Sequence, residues 1–228
     1  MSKIDNLVQD IYDLAETKSH PARVPAEQIF KDFGSNMESI LRDWLYPKDF
    51  SGGTLRMSNI GHPDRKLWYK HRKDKYKGER LKAHTLIKFL YGHLIEEMIL
   101  ALVKLSGHDV TDEQKRVELE GIKGSMDCKI DGLLCDVKST STYGFKKFKE
   151  NSLQHDDPFG YIDQISGYGQ AEGADEACFL AMDKSNGHLA VTKVDLLDKD
   201  VVKRIKHVKE MIELDTIPEP CYDLVPDG

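Results

Sequence analysis

Three features of this sequence predict an α/β fold built around a mixed β-sheet. Asp131-Gly132 lies between two apolar-rich arms and marks a two-residue β-hairpin, because both central positions of the favoured turn need positive φ. An apolar-rich stretch from about Leu81 to Leu105 is too long for a strand and stops near Ser106-Gly107, as a helix does. After the hairpin come a Gly-rich helical pattern, a short apolar run and an amphipathic stretch. The resulting order of helix, strands, helix, strands, helix is that of a sheet covered by helices.

The elements follow in turn. Residues 3–17 and 26–46 have helical spacing, as in Ile4, Leu7, Val8, Ile11 and Leu14, and Pro21, Pro25 and Pro47 punctuate them. Residues 48–62 read as loop, with Gly52-Gly53 and Gly61. On this reading 1–54 is an N-terminal helical extension, and 55–228 is a core with a C-terminal helix and tail. The long helix at 81–105 is followed by an extended segment within 108–123, and the hairpin occupies 124–138. Residues 139–157 are Ser/Thr-rich, then basic, then Asp-rich, and read as a loop bordering the site. Asp157-Pro158 reads as a helix start, with Asp at the N-cap and Pro at the first helical position, and the helix runs to about Ala171. Cys178–Met182 is a buried strand, Asn186-Gly187 a turn, His188–Val194 an outer strand and Asp198–Leu214 an amphipathic helix. The tail, with Pro218, Pro220 and Pro226, reads as irregular.

Composition bounds the function. At 228 residues, 39% hydrophobic and 32% charged, the chain can bury a core without staples. No stretch approaches the ~20 apolar residues of a membrane span. Met1–Asp5 has no apolar leader, so a cytoplasmic location is expected and no membrane partner. Cys128, Cys135, Cys178 and Cys221 form no CxxC. The spacing of Cys128 and Cys135 allows a disulfide, but reduced buried thiols suit a cytosolic chain better.

The hairpin carries the chemistry. If Asp131-Gly132 is the turn, Ile130 faces Leu133 and every cross-strand pair sums to 263, which sets Asp127 opposite Asp136. Their Cβ atoms would lie ~4.5–5.5 Å apart, and like charges so placed destabilise a sheet unless a cation lies between them. Lys138 follows Asp136 by two residues and shares its face. Two carboxylates and an ammonium on one patch suit metal-assisted hydrolysis of a phosphodiester. On the long helix, His93 and Glu97 are four apart and share a stripe bordered by core, while Glu96 points to the other flank. A satisfied core histidine and a ligand to a divalent ion or its waters both fit His93. Gln164 and Tyr168 share a face of a later helix, and Gly160, Gly167, Gly169 and Gly173 make that helix thin. Close approach of a nucleic-acid strand and tight packing on the sheet both fit those glycines. The net charge is −6, yet Asp64–Lys88 holds ten Lys or Arg against three Asp or Glu. Arg65, Lys66, Lys70, Arg72 and Lys73, interleaved with Trp68 and Tyr69, suit phosphate contacts and base stacking, and a solvated charged helix fits them too. Lys146 and Lys147 add positive charge near the hairpin.

His93 with Glu97, Gly124-x-x-Asp127, Asp136-Val137-Lys138 and Gln164-x-x-x-Tyr168, in that order, resemble the PD-(D/E)xK nuclease superfamily and its RecB-like exonuclease branch. The resemblance covers about residues 55–195. Ser58–Tyr69 also looks like the segment preceding the core of CRISPR-associated RecB-like nucleases, where a cysteine binds an iron–sulfur cluster. Here that place falls to His62 and the C-terminal cysteine trio is missing, so no cluster is expected and the chain looks more like the small phage exonucleases. The resemblance implies a restriction-endonuclease-like core and a metal-dependent DNA exonuclease of phage or bacterial recombination or repair. A structure-specific endonuclease and a catalytically idle DNA-binding protein are the alternatives. His93, Asp127, Asp136 and the Val137 carbonyl would hold Mg²⁺ or Mn²⁺, Lys138 would act on the attacking water or the phosphate, Glu97 would hold a second ion or a water, and Gln164 and Tyr168 would position the strand. DNA is the implied partner, with a recombination protein beside it.

Overall fold

The computed structural model describes residues 2–47, 55–72, 75–76, 81–197 and 199–221. A 3-10 turn at Lys3–Asn6 runs into α1 (Leu7–Thr17), and α2 (Ala26–Leu45) follows. Ile4, Leu7 and Ile11 recur at helical spacing, and all three are buried. A second 3-10 turn, Met57–Asn59, precedes α3 (Asp64–His71), and α4 (Ala83–Leu105) is the long helix of the fold. Then come β1 (Val110–Thr111), β2 (Arg116–Leu119), β3 (Ile122–Ser125), β4 (Cys128–Ile130) and β5 (Leu133–Thr140). The chain continues through α5 (Thr142–Lys149), α6 (Tyr161–Glu172), β6 (Glu176–Asp183), β7 (Leu189–Asp195) and α7 (Val201–Glu213).

Five strands form one sheet in the order β1-β4-β5-β6-β7, and β2 pairs with β3 in a small second sheet. β5 and β6 are parallel and the other neighbours antiparallel, so the main sheet is mixed. The parallel pair needs a long crossover, which α5 and α6 provide. With its flanking and N-terminal helices, this is the architecture of a restriction-endonuclease-like core. Alternation along β5 feeds two cores. Leu134 joins Ala177, Phe179 and Ala181 beneath α5, α6 and α7. Cys135 and Val137 join Cys178 and Leu180 beneath α1 and α4. Asp136 and Lys138 fall, by alternation, on the first of these faces. All four cysteines are free thiols. Among the described residues no helix is long and apolar enough to cross a membrane.

Four expectations are corrected. Residues 139–157 are not all loop, because Phe145 and Phe148 bury one side of α5 and the Ser141 hydroxyl caps it, accepting from Gly144 N at 3.3 Å. Helix α6 starts at Tyr161, not Pro158, after Gly160 at φ +74°. Asp157 still serves that helix, since its Oδ2 accepts from Ile162 N at 2.8 Å. Residues 124–130 are not one strand, for Gly124 pairs with Val117 in the small sheet whereas Cys128 pairs with Cys135 in the main one. The last helix is shorter than expected, with Asp200 capping it by accepting from Lys203 N at 2.9 Å. Gly52-Gly53, Lys73, Asp198 and Pro226 lie outside the described residues.

Tight packing accounts for the glycines of α6. A Cβ at Gly167 would sit 2.3 Å from Met57 Sδ, and one at Gly169 2.2 Å from Leu196 Cδ1. Met57 wedges from the other side against Gly124, where a Cβ would meet Met57 Cβ at 2.6 Å and Tyr168 Cε1 at 2.7 Å. Gly61 and Gly160 touch backbone to backbone, so a Cβ on either would lie within 2.5 Å of the other's main chain.

Candidate functional site

The hairpin register is the one the sequence predicts. Asp131 (φ 50°) and Gly132 (φ 85°) make the turn, and Cys128↔Cys135, Lys129↔Leu134 and Ile130↔Leu133 all sum to 263. The ladder then ends. Met126 N donates to Lys115 O (3.0 Å) and Gln114 N to Asp127 O (2.9 Å), so the chain leaves β5 for the segment before β2. Asp127 therefore does not continue the ladder opposite Asp136. Its side chain reaches back instead, and Oδ2 accepts from Val137 N at 2.8 Å. A carboxylate takes the place of a strand carbonyl beside β5, and the two acids remain neighbours.

Asp136 is 1% exposed. Its Oδ1 accepts from Gln164 Nε2 at 3.3 Å, and the same amide donates to Tyr168 Oη at 3.4 Å. Asp136 Oδ2 is ion-paired with Lys138 Nζ. Lys138 Nζ also lies 4.9 Å from the centroid of the Tyr161 ring. The predicted members Asp127, Asp136, Lys138, Gln164 and Tyr168 thus converge. Tyr161, absent from the sequence reading, joins them.

The acid from α4 is Glu96, not Glu97. Gly92 faces β5, where a Cβ would make ordinary contact with Ser139 Oγ at 3.6 Å, and Glu96 follows one turn later on that face. Gln114 Nε2 donates to Glu96 Oε1 at 3.0 Å. Glu97 turns toward α2, where Asn36 Nδ2 donates to its two oxygens at 3.1 and 3.2 Å. His93 is exposed, and among the described residues it makes no hydrogen bond or ion pair to the acids. No local signal separates Glu96 from Glu97, since a helical glycine need not face the sheet: a Cβ on Gly34 in α2 would meet nothing within 4 Å.

Electrostatics set the site apart. Burial, then the charge of Asp136, pushes the Glu96 carboxyl up to about 7. Burial, then Asp136 and Glu96, raises Asp127 well above the carboxylate range. Burial works against the Lys138 ammonium, but Asp136 and Asp127 outweigh it and hold the group above its ordinary value. Burial pushes the Tyr168 hydroxyl up to about 12 and raises that of Tyr161.

Three carboxyl groups crowded until two resist ionisation form an oxygen-rich donor set of the kind Mg²⁺ or Mn²⁺ takes. The chemistry fits the ion. Among the described residues, however, no three His, Cys, Asp or Glu side chains are already drawn together as a metal cluster.

The basic segment divides into two groups. Trp68 is 2% exposed, and its Nε1 donates to Leu214 O at 2.7 Å, so it is closed to base stacking. Arg72 covers the Trp68 ring at 4.0 Å and donates to Ile212 O (2.7 Å) and Leu214 O (2.6 Å), neutralising the C-terminus of α7. Tyr69 is half-buried and packs edge-on to Trp68 and Tyr76 at 5.2 and 5.3 Å. These three residues are structural. Arg65 is half-buried, while Lys66 and Lys70 are exposed. Partial burial, then Arg56 and Lys66, lowers the Lys70 ammonium, the mark of a positive cluster. Burial, then Lys66 and Lys70, pushes His62 down to about 4. Lys146 pairs loosely with Glu150 at 3.7 Å, and Lys147 is held by Asp156 at 2.7 Å.

No protein-family model and no curated protein sequence matches the chain. Among solved structures the chain is similar to SSO0001, with TM-score 0.49 and 11% identity over 81% of this chain and 87% of the other. It is also similar to the alkaline exonuclease LHK-Exo from Laribacter hongkongensis, with TM-score 0.44 and 15% identity over 75% and 94% of the two chains. A phage-related exonuclease from Haemophilus somnus 129PT gives TM-score 0.46 and 16% identity over 70% and 90%.

Proposed function

We propose that this chain is a metal-dependent nuclease of the PD-(D/E)xK type, RecB-like branch, that hydrolyses DNA phosphodiester bonds from strand ends. The setting proposed is recombination or repair in a phage-infected or bacterial cytoplasm. The observation that carries the reading is the meeting of Glu96, Asp127 and Asp136 with Lys138 around β5. Nothing in folding calls for three neighbouring carboxyl groups, two of them pushed toward the neutral form. A phosphodiester hydrolase that binds a cation does call for them.

In this reading Asp127, Asp136, Glu96 and the Val137 carbonyl would hold Mg²⁺ or Mn²⁺, and His93 would act only through a water. The bound ion lowers the pKa of its water and neutralises charge on the phosphate. The other residues work directly. Lys138 stays charged beside Asp136 and donates to the attacking water or to a phosphate oxygen. Gln164 fixes Asp136 Oδ1, and Tyr168 supports Gln164 from behind. Lys66, Lys70 and Lys146 draw the backbone in.

Release of acid-soluble nucleotides from linear DNA with Mg²⁺ tests the proposal. The wild type should be active, and Asp136→Ala and Lys138→Ala should be inactive with unchanged circular dichroism. Full activity in either variant refutes it. Covalently closed circular DNA should stay intact, and its cleavage would replace the exonuclease with an endonuclease.

A further inference from the structure

An aromatic step leads from solvent to Lys138. Phe159 is 57% exposed and stacks on Tyr161, with ring centroids 5.4 Å apart and planes 28° from parallel. Tyr161 carries Lys138 Nζ over its ring and is backed by Phe148 and Phe179 at 6.0 and 6.3 Å. Phe159 is therefore stacked, with an offset, on a ring of the core, and more than half of its surface remains open to solvent.

The backbone pins this ring from both sides. Gly160, the next residue, abuts Gly61 with φ +74°. Asp157, two residues earlier, holds the start of α6 through Ile162 N at 2.8 Å. An aromatic ring held open to water beside the basic group of the site is a binding surface ready for a flat, π-rich ligand.

We infer that the open face of Phe159 stacks a nucleobase of the strand being cut, so that this site favours an unpaired strand over an intact duplex. The inference rests on the nuclease reading above. The two ring contacts place Phe159 within about 10 Å of Lys138 Nζ. Even at the ~3.4 Å rise of stacked bases this is at most about three nucleotides, so the stacked base belongs to the first few beside the scissile phosphate. Only a base released from its neighbour can offer its face to a protein ring. Since every base has such a face, the contact selects strand state and not sequence.

The test uses the full-length chain. Phe159→Ala should raise KM on single-stranded DNA by about tenfold, with kcat and the KM on blunt duplex little changed. Phe159→Trp should keep the wild-type KM, and Phe159→Leu, apolar but unable to stack, should behave like Ala. A second readout needs no turnover. In EDTA, single-stranded oligonucleotides with 2-aminopurine at each of the terminal positions are titrated with protein. The wild type should change the fluorescence at one or two of those positions, and Phe159→Ala should not. An unchanged KM together with an unchanged fluorescence response in Phe159→Ala overturns the inference, as does a wild-type KM in Phe159→Leu. If the wild type cuts no DNA, the nuclease reading fails, and the fluorescence arm still decides whether Phe159 stacks a base.

Discussion

Replacing Glu96 with Gln should make the metal-free protein more stable in alkali and nearly neutral in acid. The carboxyl rises from 4.5 to about 7 on folding, chiefly because it is buried and secondarily because it faces Asp136. Its folded pKa is raised, so between those two values the folded state binds more protons than the unfolded one. Stability must then fall as pH rises through this window. At about 1.4 kcal/mol per unit the full penalty is about 3 kcal/mol. Partial hydration reduces it to about 2–3 kcal/mol above pH 8, and it drops below about 1 kcal/mol at pH 5. Gln removes the charge, keeps the shape and can still accept from Gln114. It also relieves Asp127, whose carboxyl Glu96 helps to raise, so the coupling adds in the same direction. Urea unfolding in EDTA measures the effect. With a slope of about 2–3 kcal/mol/M, the midpoint of Glu96→Gln should exceed that of the wild type by about 1 M at pH 8.5 and by much less at pH 5. An equal gap at both pH values would show that Glu96 is not held among the acids, and the electrostatic picture of the site would be wrong.

Other expectations can be checked on the same preparations. Gly124→Ala must push Met57 or Tyr168 aside and should cost about 1–3 kcal/mol in urea unfolding, with partial recovery in Gly124→Ala/Met57→Ala. Trp68→Ala removes the buried ring beneath Arg72 and leaves the Leu214 carbonyl with the Arg72 donor alone, so it should lose about 3–5 kcal/mol of stability while the salt dependence of DNA binding stays put. Lys66→Ala and Lys70→Ala should do the reverse. Each should lower the slope of log K against log salt by about 1 in a fluorescence-anisotropy titration, with little change in unfolding.

Much of this architecture could be read from local chemistry. A two-residue turn with one dominant composition sets its own register, which is why the 263 pairing survives in the structure. The long α4, the buried β6 and the edge strand β7 follow from runs of apolar residues bounded by Gly and Asn. Non-local contacts could not be read this way. The break at Met126 depends on Lys115 and Gln114, about a dozen residues upstream, so alternation alone carried the strand one step too far. The choice between Glu96 and Glu97 is a rotation of about 100° about the helix axis, decided by which side of α4 meets Ser139 and which meets Asn36. Trp68 and Arg72 look like nucleic-acid ligands in sequence because the carbonyls that claim them lie some 140 residues later.

The contact between Gly61 and Gly160 has an evolutionary consequence. Most packed pairs can drift, because a larger side chain at one position is offset by a smaller one at the other. Here each residue is already the smallest there is, and the obstacle to a Cβ on either is the other's main chain. No reciprocal exchange restores the fit, and Gly160 is further confined by its left-handed backbone. The two positions should therefore be glycine together across descendants of this chain, invariant without covarying. Methods that look for compensating changes would miss the joint that sets the segment ahead of α3 against the start of α6.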